Sequence, residues 1–419
     1  MRVLMFGWEF PPMASGGLGT ACYGLTKSLH KLGAEIIFVM PHVSKNVSSL
    51  HVELVSAEGT KMKSQFIETI EVDSLITPYM TNEEYKKSLL KGVDAIEHDR
   101  SEQSKNIYGK DLYSEVWRYR QKAKLIAMRD DYDLIHCHDW MTYGAGIEAK
   151  KISGKPLLLH IHATEFDRTG DNPNQYVYQL EKEGFNAADM ILAVSNLTRN
   201  RVINHYGIDP NKVVVVHNAV EHKEVDSRRQ RLPNDTKVVL FLGRITIQKG
   251  PDWFLYAAKK VLEYEPNVTF VVAGSGDMEA FMMNKAAELG ISKNVLFAGF
   301  LKGDDIDRAY RMADLYVMPS ISEPFGITPL ESMRNGTPVL ISKQSGVSEV
   351  VRHCLKADFW DVNDMANKII GVLSHAPLHS LLVAEGTQEI KRFTWDDPAR
   401  KCIDAYNKSL NVWRKARGL

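Results

Sequence analysis

At 419 residues the chain is too long for one ordinary hydrophobic core, so two or three domains are expected. Its 52 Lys and Arg balance 52 Asp and Glu, a neutrality that excludes a global field recruiting nucleic acid or an anionic membrane. With 44% hydrophobic and 25% charged residues the composition is that of a soluble globular protein. Four scattered cysteines, Cys22, Cys137, Cys354 and Cys402, lack the paired spacing of a disulfide framework or zinc knuckle and fit a reducing compartment.

The opening MRVLMFGWEF reads as a buried strand cut short by Glu9 and the following prolines, not as a signal peptide. No apolar run approaches the roughly 18–20 residues of a membrane span, so no transmembrane segment and a cytoplasmic location are expected. Arg2–Gly7 and Ala34–Met40 read as strands flanking a helix at about Thr20–Leu32. The stretch from about Asn82 to Met128 is polar and helix-prone, an excursion beyond a minimal fold. Further strands are expected at Leu134–Cys137, Leu157–Ile161, Met190–Val194 and Val213–Val216. The charged string Glu221–Asp235 is the best linker candidate. Beyond it a second alternating series follows: Val238–Leu242, Val268–Ala273, Val295–Ala298, Leu315–Met318 and Val339–Ile341. Strands alternating with helix-period segments predict an α/β protein with parallel sheets, in two successive Rossmann-like halves. The last segment, from Trp395, has Pro398 in a first helical turn and Ala399, Ile403, Tyr406, Leu410 and Trp413 at helical spacing.

Candidate chemistry collects at expected strand ends, where open α/β sheets bind ligands. SGGLGT (Ser15–Thr20) offers glycines for close backbone approach and a helix N-terminus for an anion. A dinucleotide fold would close the second strand with an acidic residue; Met40-Pro41-His42 stands there, which argues against NAD or FAD. His136 and His138, then His160 and His162, fall on shared strand faces, with Asp139 following the first pair. Imidazoles two apart on a strand can chelate, so a metal-dependent hydrolase drawing also on His217 and Glu165 is a rival reading. The strings Asp131-Tyr132-Asp133 and Asp305-Ile306-Asp307 read as structural, the first at the wrong sheet edge and the second opening a helix.

In LGRITIQKGPD, Arg244 and Lys249 follow a strand and can neutralise a departing diphosphate. Gly274-Ser275-Gly276 reads as a turn that admits a ligand, and Ser345-Gly346-Val347 as a helix start offering amides to phosphate. Tyr316–Ser342 carries Glu323 and Glu331 across a Pro/Gly-bounded loop, and carboxylates accept hydrogen bonds from vicinal hydroxyls.

Taken in order, the GG loop, the HD and HAT strings, GRxxxxKG, GSG, GFL and the two-glutamate stretch resemble the signature of retaining glycosyltransferases of the GT-B fold. The match covers both halves and is similar to the family-4 group and, within it, to bacterial and archaeal glycogen synthases. One position departs from those synthases: Ala14 stands where their KxGGL loop has lysine.

The resemblance implies a GT-B architecture. An acceptor domain would span 1–221, a nucleotide-sugar domain 222–397, and a helix at 398–419 would return to the first. By the same resemblance Arg244 and Lys249 hold the diphosphate, Glu323 the sugar hydroxyls and Glu331 the ribose. Gly326 lets amides approach, His162 and Asp139 line the sugar side, and Gly16 and Gly17 lie near the reacting centre. Gly274 borders the site, and Gly299, Phe300 and Leu301 sit where the family holds its base. Trp8, Glu9 and Trp140 are acceptor candidates, with core packing the equal alternative for the two tryptophans.

The implied reaction is metal-independent, cofactor-free hexose transfer with retention, most simply glucose from ADP- or UDP-glucose onto an α-glucan. A different glycan or a glycosylated small molecule is the alternative, favoured by Ala14. None of these patterns sets an oligomeric state.

Overall fold

The computed structural model describes residues 1–11, 16–41, 53–55, 67–71, 110–129, 131–170, 172–223 and 236–418. Ala14, Ser15, His42, the 82–109 part of the expected excursion and the 224–235 part of the expected linker lie outside them.

The first half supplies strands β1 (Arg2–Phe6), β2 (Glu35–Met40), β3 (Glu53–Val55), β4 (Ile67–Glu71), β5 (Leu134–His138), β6 (Leu157–Ile161), β7 (Met190–Ala193) and β8 (Val213–Val215). They form one sheet in the order β3-β4-β2-β1-β5-β6-β7-β8, with parallel pairings. Its helices are α1 (Gly17–Lys31), α2 (Lys110–Arg129), α3 (Trp140–Ser153), α4 (Glu165–Thr169), α5 (Gln175–Ala187) and α6 (Asn196–Tyr206).

The second half repeats the scheme with β9 (Lys237–Leu242), β10 (Val268–Ala273), β11 (Val295–Gly299), β12 (Leu315–Met318), β13 (Val339–Ser342) and β14 (Leu355–Ala357). This sheet, also parallel, runs β11-β10-β9-β12-β13-β14. Helices α7 (Pro251–Leu262), α8 (Glu279–Glu288), α9 (Asp304–Met312), α10 (Thr328–Arg334), α11 (Val362–Ser374) and α12 (Ala376–Glu389) precede α13 (Asp396–Arg417).

The central strands are buried and largely apolar, because helices cover both faces of a parallel sheet; the exceptions are Arg2 at the start of β1 and the histidines of β5 and β6. In each sheet the strand order reverses beside the first strand, between β1 and β5 and between β9 and β12. A reversal leaves a crevice beyond the carboxyl ends of those two strands. Both crevices carry the candidate residues.

Helix α13 packs beneath the first sheet, not the second: Trp395, Ala399, Cys402, Ala405, Tyr406 and Leu410 join a core with β1, β2 and α1. Gly24 of α1 permits this, since a Cβ there would stand 2.2 Å from Trp395 Nε1. At the helix entry Ser28 donates to Asp396 at 3.0 Å, and at its end Trp413 Nε1 donates to the Gly154 carbonyl at 2.5 Å. No single helix among the described residues is long and apolar enough to cross a membrane.

The two acidic strings fall away from the crevices. Asp133 accepts from the Arg2 amide at the amino edge of the first sheet, and Asp307, in α9, is bound by Arg334 and Asn335.

Candidate functional site

The first crevice is built where β1, β5 and β6 end. Glu9 is buried beyond β1 and turns its carboxylate onto the start of α1, accepting from the Gly19 amide at 3.1 Å. No side chain of the helix's own N-cap does this work, because Gly16 occupies that position. Gly16 leaves room for that carboxylate: a Cβ would lie 2.8 Å from a Glu9 oxygen, and the Glu9 side chain would have to shift. Gly17 faces open space, with nothing within 4 Å of the corresponding point. Burial pushes the Glu9 carboxyl up to about 7. The Gly19 amide and the Arg244 guanidinium of the second half pull the other way, and Asp139 adds to the rise.

Asp139 is the one described non-glycine residue with positive φ, at 60°. Such strain persists where the surroundings over-determine it. Its carboxylate accepts from the amides of His162 at 2.7 Å and Ala163 at 3.3 Å, tying the ends of β5 and β6 together. Behind it Arg168 lies 3.8 Å from Asp139, 3.3 Å from Glu181 and 3.6 Å from Glu165, a buried charged knot that anchors the HAT loop. The sequence signal for that loop is Thr164 with Asp167, a capping box that starts α4. Burial lowers the His162 pKa, holding its imidazole neutral, and its Nε2 meets His138 Nδ1 at 3.0 Å.

The second crevice is built where β9 and β12 end. Arg244 reaches Gln248 at 3.3 Å, and Lys249 closes a short 3-10 turn (Ile247–Lys249). Lys249 Nζ stands 2.5 Å from Glu323 Oε2, which also accepts from Ser320 at 3.2 Å. Gly326 lies beneath this pair at φ +97°; a Cβ there would touch Glu323 Cγ at 3.1 Å. Glu331, in the first turns of α10, accepts from the Tyr310 hydroxyl at 3.3 Å, and burial raises its carboxyl. Both glutamates act electrostatically on the buried Tyr316.

Three sequence expectations change. Trp8 and Trp140, read as acceptor candidates, are 4% and 2% exposed and belong to the core, Trp8 edge-on to Tyr119. The amides of Gly346 and Val347, read as free for phosphate, donate to the carbonyls of Glu323 (2.9 Å) and Phe325 (2.7 Å). Gly274 and Gly276 are required by backbone crossing: Cβ atoms would stand 1.8 Å from the Gly243 carbonyl oxygen and 2.2 Å from that of Ile245. Gly274 also donates to the carbonyl of Gly299, so those two positions are neighbours. Phe300 projects half-exposed beyond Gly299 under Lys302, while Leu301 packs on the core.

The two crevices face each other. Helix α4 lies against the Ile247–Lys249 turn, and Ser322 donates to Asp167 at 2.7 Å. Farther along, Glu349 of the second half accepts from the Asn196 and Leu197 amides at 2.9 and 2.8 Å, capping α6 of the first. The three hydrogen bonds were not legible in the sequence, since each pairs residues more than 150 positions apart. The further ligands that a hydrolase would need are engaged elsewhere: His217 with Glu349 at 3.2 Å, and Glu165 with the Asn174 amide.

Two Rossmann-like halves with paired cations and acids meeting across a cleft define a GT-B glycosyltransferase. Residues 15–224 match the family described as Glycosyltransferase Family 4, and residues 222–388 match Glycosyl transferases group 1. The chain belongs to glycosyltransferase family 4. It is 28% identical over 98% of its length to an uncharacterized glycosyltransferase, MJ1607, of Methanocaldococcus jannaschii, covering 99% of that protein. It is 31% identical to a D-inositol 3-phosphate glycosyltransferase of Acidothermus cellulolyticus, over 69% of this chain and 70% of that one. Among solved structures, sucrose-phosphate synthase of Thermosynechococcus elongatus aligns with a TM-score of 0.74 at 17% identity, over 98% and 99% of the two chains. Anabaena Alr3699/HepE in complex with UDP and glucose aligns at 0.66 and 16%, over 97% and 100%. At these identities the structural likeness carries the fold alone.

Proposed function

We propose that this glycosyltransferase moves a hexose, most simply glucose, from a nucleoside diphosphate sugar to an acceptor hydroxyl with retention of configuration. The observation that carries the reading is the Arg244, Lys249 and Glu323 constellation at the β9/β12 crevice, opposite Asp139 and His162. In this reading Arg244 and Lys249 hold the diphosphate, and Lys249 shifts from Glu323 toward phosphate as Glu323 takes up sugar hydroxyls. Glu331 receives the ribose hydroxyls, Phe300 and the Gly299 turn border the base, and Gly326 leaves space for the donor. Gly16 and Gly17 stand over the reacting centre, with neutral His162 as a donor toward the hexose.

The bond from the anomeric carbon to the β-phosphate oxygen breaks and the electron pair leaves with the diphosphate. The same phosphate accepts the acceptor's proton while the new C–O bond forms on the face it vacated. Two fixed cations stabilise the departing charge, a contribution worth about 3–4 kcal/mol per contact in comparable sites. No bound metal ion or cofactor is required for these steps.

For the acceptor, the sequence-based reading is a growing α-glucan. A small hydroxyl-bearing acceptor is the second reading, and one observation favours it: Trp8 and Trp140 are buried and offer no stacking platform to a sugar chain. The inositol-phosphate relatives support the same choice. The test is nucleotide release from ADP-, UDP- and GDP-sugars, alone and with glycogen, malto-oligosaccharides, inositol phosphates or sugar phosphates. Acceptor-dependent release with one donor is the expected result; no acceptor-dependent release across the panel would remove the proposal.

A further inference from the structure

The carboxyl halves of β5 and β6 bury more imidazole than the transfer chemistry uses. His136, His138 and His160 are at most 1% exposed and stack with ring centroids 4.4–5.4 Å apart. Among the described residues, Nε2 of His136, Nε2 of His138 and both ring nitrogens of His160 have no hydrogen-bond partner. Buried polar atoms are nearly always satisfied, so four orphans in one cluster call for a missing occupant. On His136 and His138 the other nitrogen is engaged: His136 Nδ1 lies 2.6 Å from the Tyr406 hydroxyl and His138 Nδ1 3.0 Å from His162 Nε2. A metal-ligating histidine shows this division of labour, one nitrogen fixed by an outer partner and the other left as ligand.

We infer that His136, His138 and His160 form a buried structural site for one borderline-soft divalent transition-metal ion, with Zn²⁺ the best chemical match. One ring nitrogen from each of the three lies within 4.8 Å of the others. Zn–N bonds of about 2.0–2.1 Å need ligand nitrogens about 3.4 Å apart, so the cluster contracts modestly on binding. The rings are near-parallel, and convergence of their in-plane lone pairs requires rotation about the broad Cβ–ring torsion, with Tyr406 and His162 moving to keep their Nδ1 contacts. Burial keeps all three imidazoles neutral, the ligating form. The Cys22 thiol of α1, grouped with His138 and His162 within the same radius, is a further soft donor beside them. The ion would pin β5 and β6 just before Asp139 and His162 and take no part in catalysis. The inference does not depend on which sugar or acceptor is used.

The test uses the full chain, free of any affinity tag, stripped with a chelator and titrated with Zn²⁺ or Co²⁺ alone. One ion per chain, tetrahedral Co²⁺ absorption bands and a rise in Tm with added Zn²⁺ are expected. His160→Thr, a β-compatible replacement, and His136→Asn should each weaken binding at least tenfold while keeping the wild-type circular dichroism spectrum. The inference is overturned if the stripped protein takes up no stoichiometric ion, or if both variants bind as the wild type does. Retention of ordered water alone at the cluster overturns it equally.

Discussion

Lys249 Nζ meets Glu323 Oε2 at 2.5 Å, joining the turn after β9 to the loop after β12 across the strand-order reversal of the second sheet. In the proposed reading the pair poises the donor crevice: the cation and the carboxylate satisfy each other until a donor offers phosphate to one and hydroxyls to the other. Lys249→Ala and Glu323→Ala should each lower kcat by about 10²–10³-fold with the fold intact. Because the two share one contact, the double variant should lose little more than either single one. Full additivity in steady-state kinetics would separate their roles.

Glu9 makes a pH-dependent contribution of defined sign. Its carboxyl rises from 4.5 to about 7, so the folded state prefers it protonated. That stabilisation is complete below the unfolded value and is lost as pH rises through 7. Glu9→Gln mimics the protonated form, so its Tm relative to wild type should climb between pH 5 and 8, by up to about 3 kcal/mol equivalent. A difference that stays flat with pH contradicts this.

The glycines separate into two kinds by substitution. Gly274→Ala drives a Cβ to 1.8 Å from a carbonyl oxygen at φ +142° and should cost about 3 kcal/mol or more in denaturant unfolding. Gly17→Ala meets nothing and sits at the first helical position, where alanine costs no strain, so the protein should be at least as stable. If the donor sits over that helix start, kcat should nonetheless fall. Wild-type kinetics for Gly17→Ala would move the reacting centre away from it.

Glu349 caps α6 from the opposite half of the molecule. Glu349→Ala should remove about 1 kcal/mol. Because the cap also holds the halves together, KM for the donor should rise with it. Loss of stability with an unchanged KM would reduce the contact to a local one.

Much of this architecture was legible in the sequence. Most strands, from Arg2–Phe6 and Glu35–Met40 through Leu134–Val215 and from Lys237 to Ser342, announce themselves because parallel strands buried on both faces read as continuous apolar segments. The three-residue strands Glu53–Val55 and Leu355–Ala357 were missed because so few residues carry no period, and Ile67–Glu71 because IETIE forms no continuous apolar run. Arg244, Lys249 and Glu323 were singled out by strand-end position and by the family resemblance, and the structure brings Lys249 and Glu323 into contact. What remained hidden is three-dimensional. The Glu349 cap, the Asp167–Ser322 bond and the Arg168 charge knot depend on how the halves dock, and burial of Trp8 and Trp140 depends on α2 packing over the first sheet. The positive φ of Asp139 has no sequence signal either, since only the surrounding amides enforce it.

The most direct measurement is a crystal structure with intact UDP-glucose, or the nucleotide sugar that the release panel selects. The diphosphate should lie within ion-pair distance of Arg244 and Lys249, the hexose between Glu323 and His162, and the ribose on Glu331. A donor bound outside the cleft, or a diphosphate turned away from both cations, would contradict the assignment of this site.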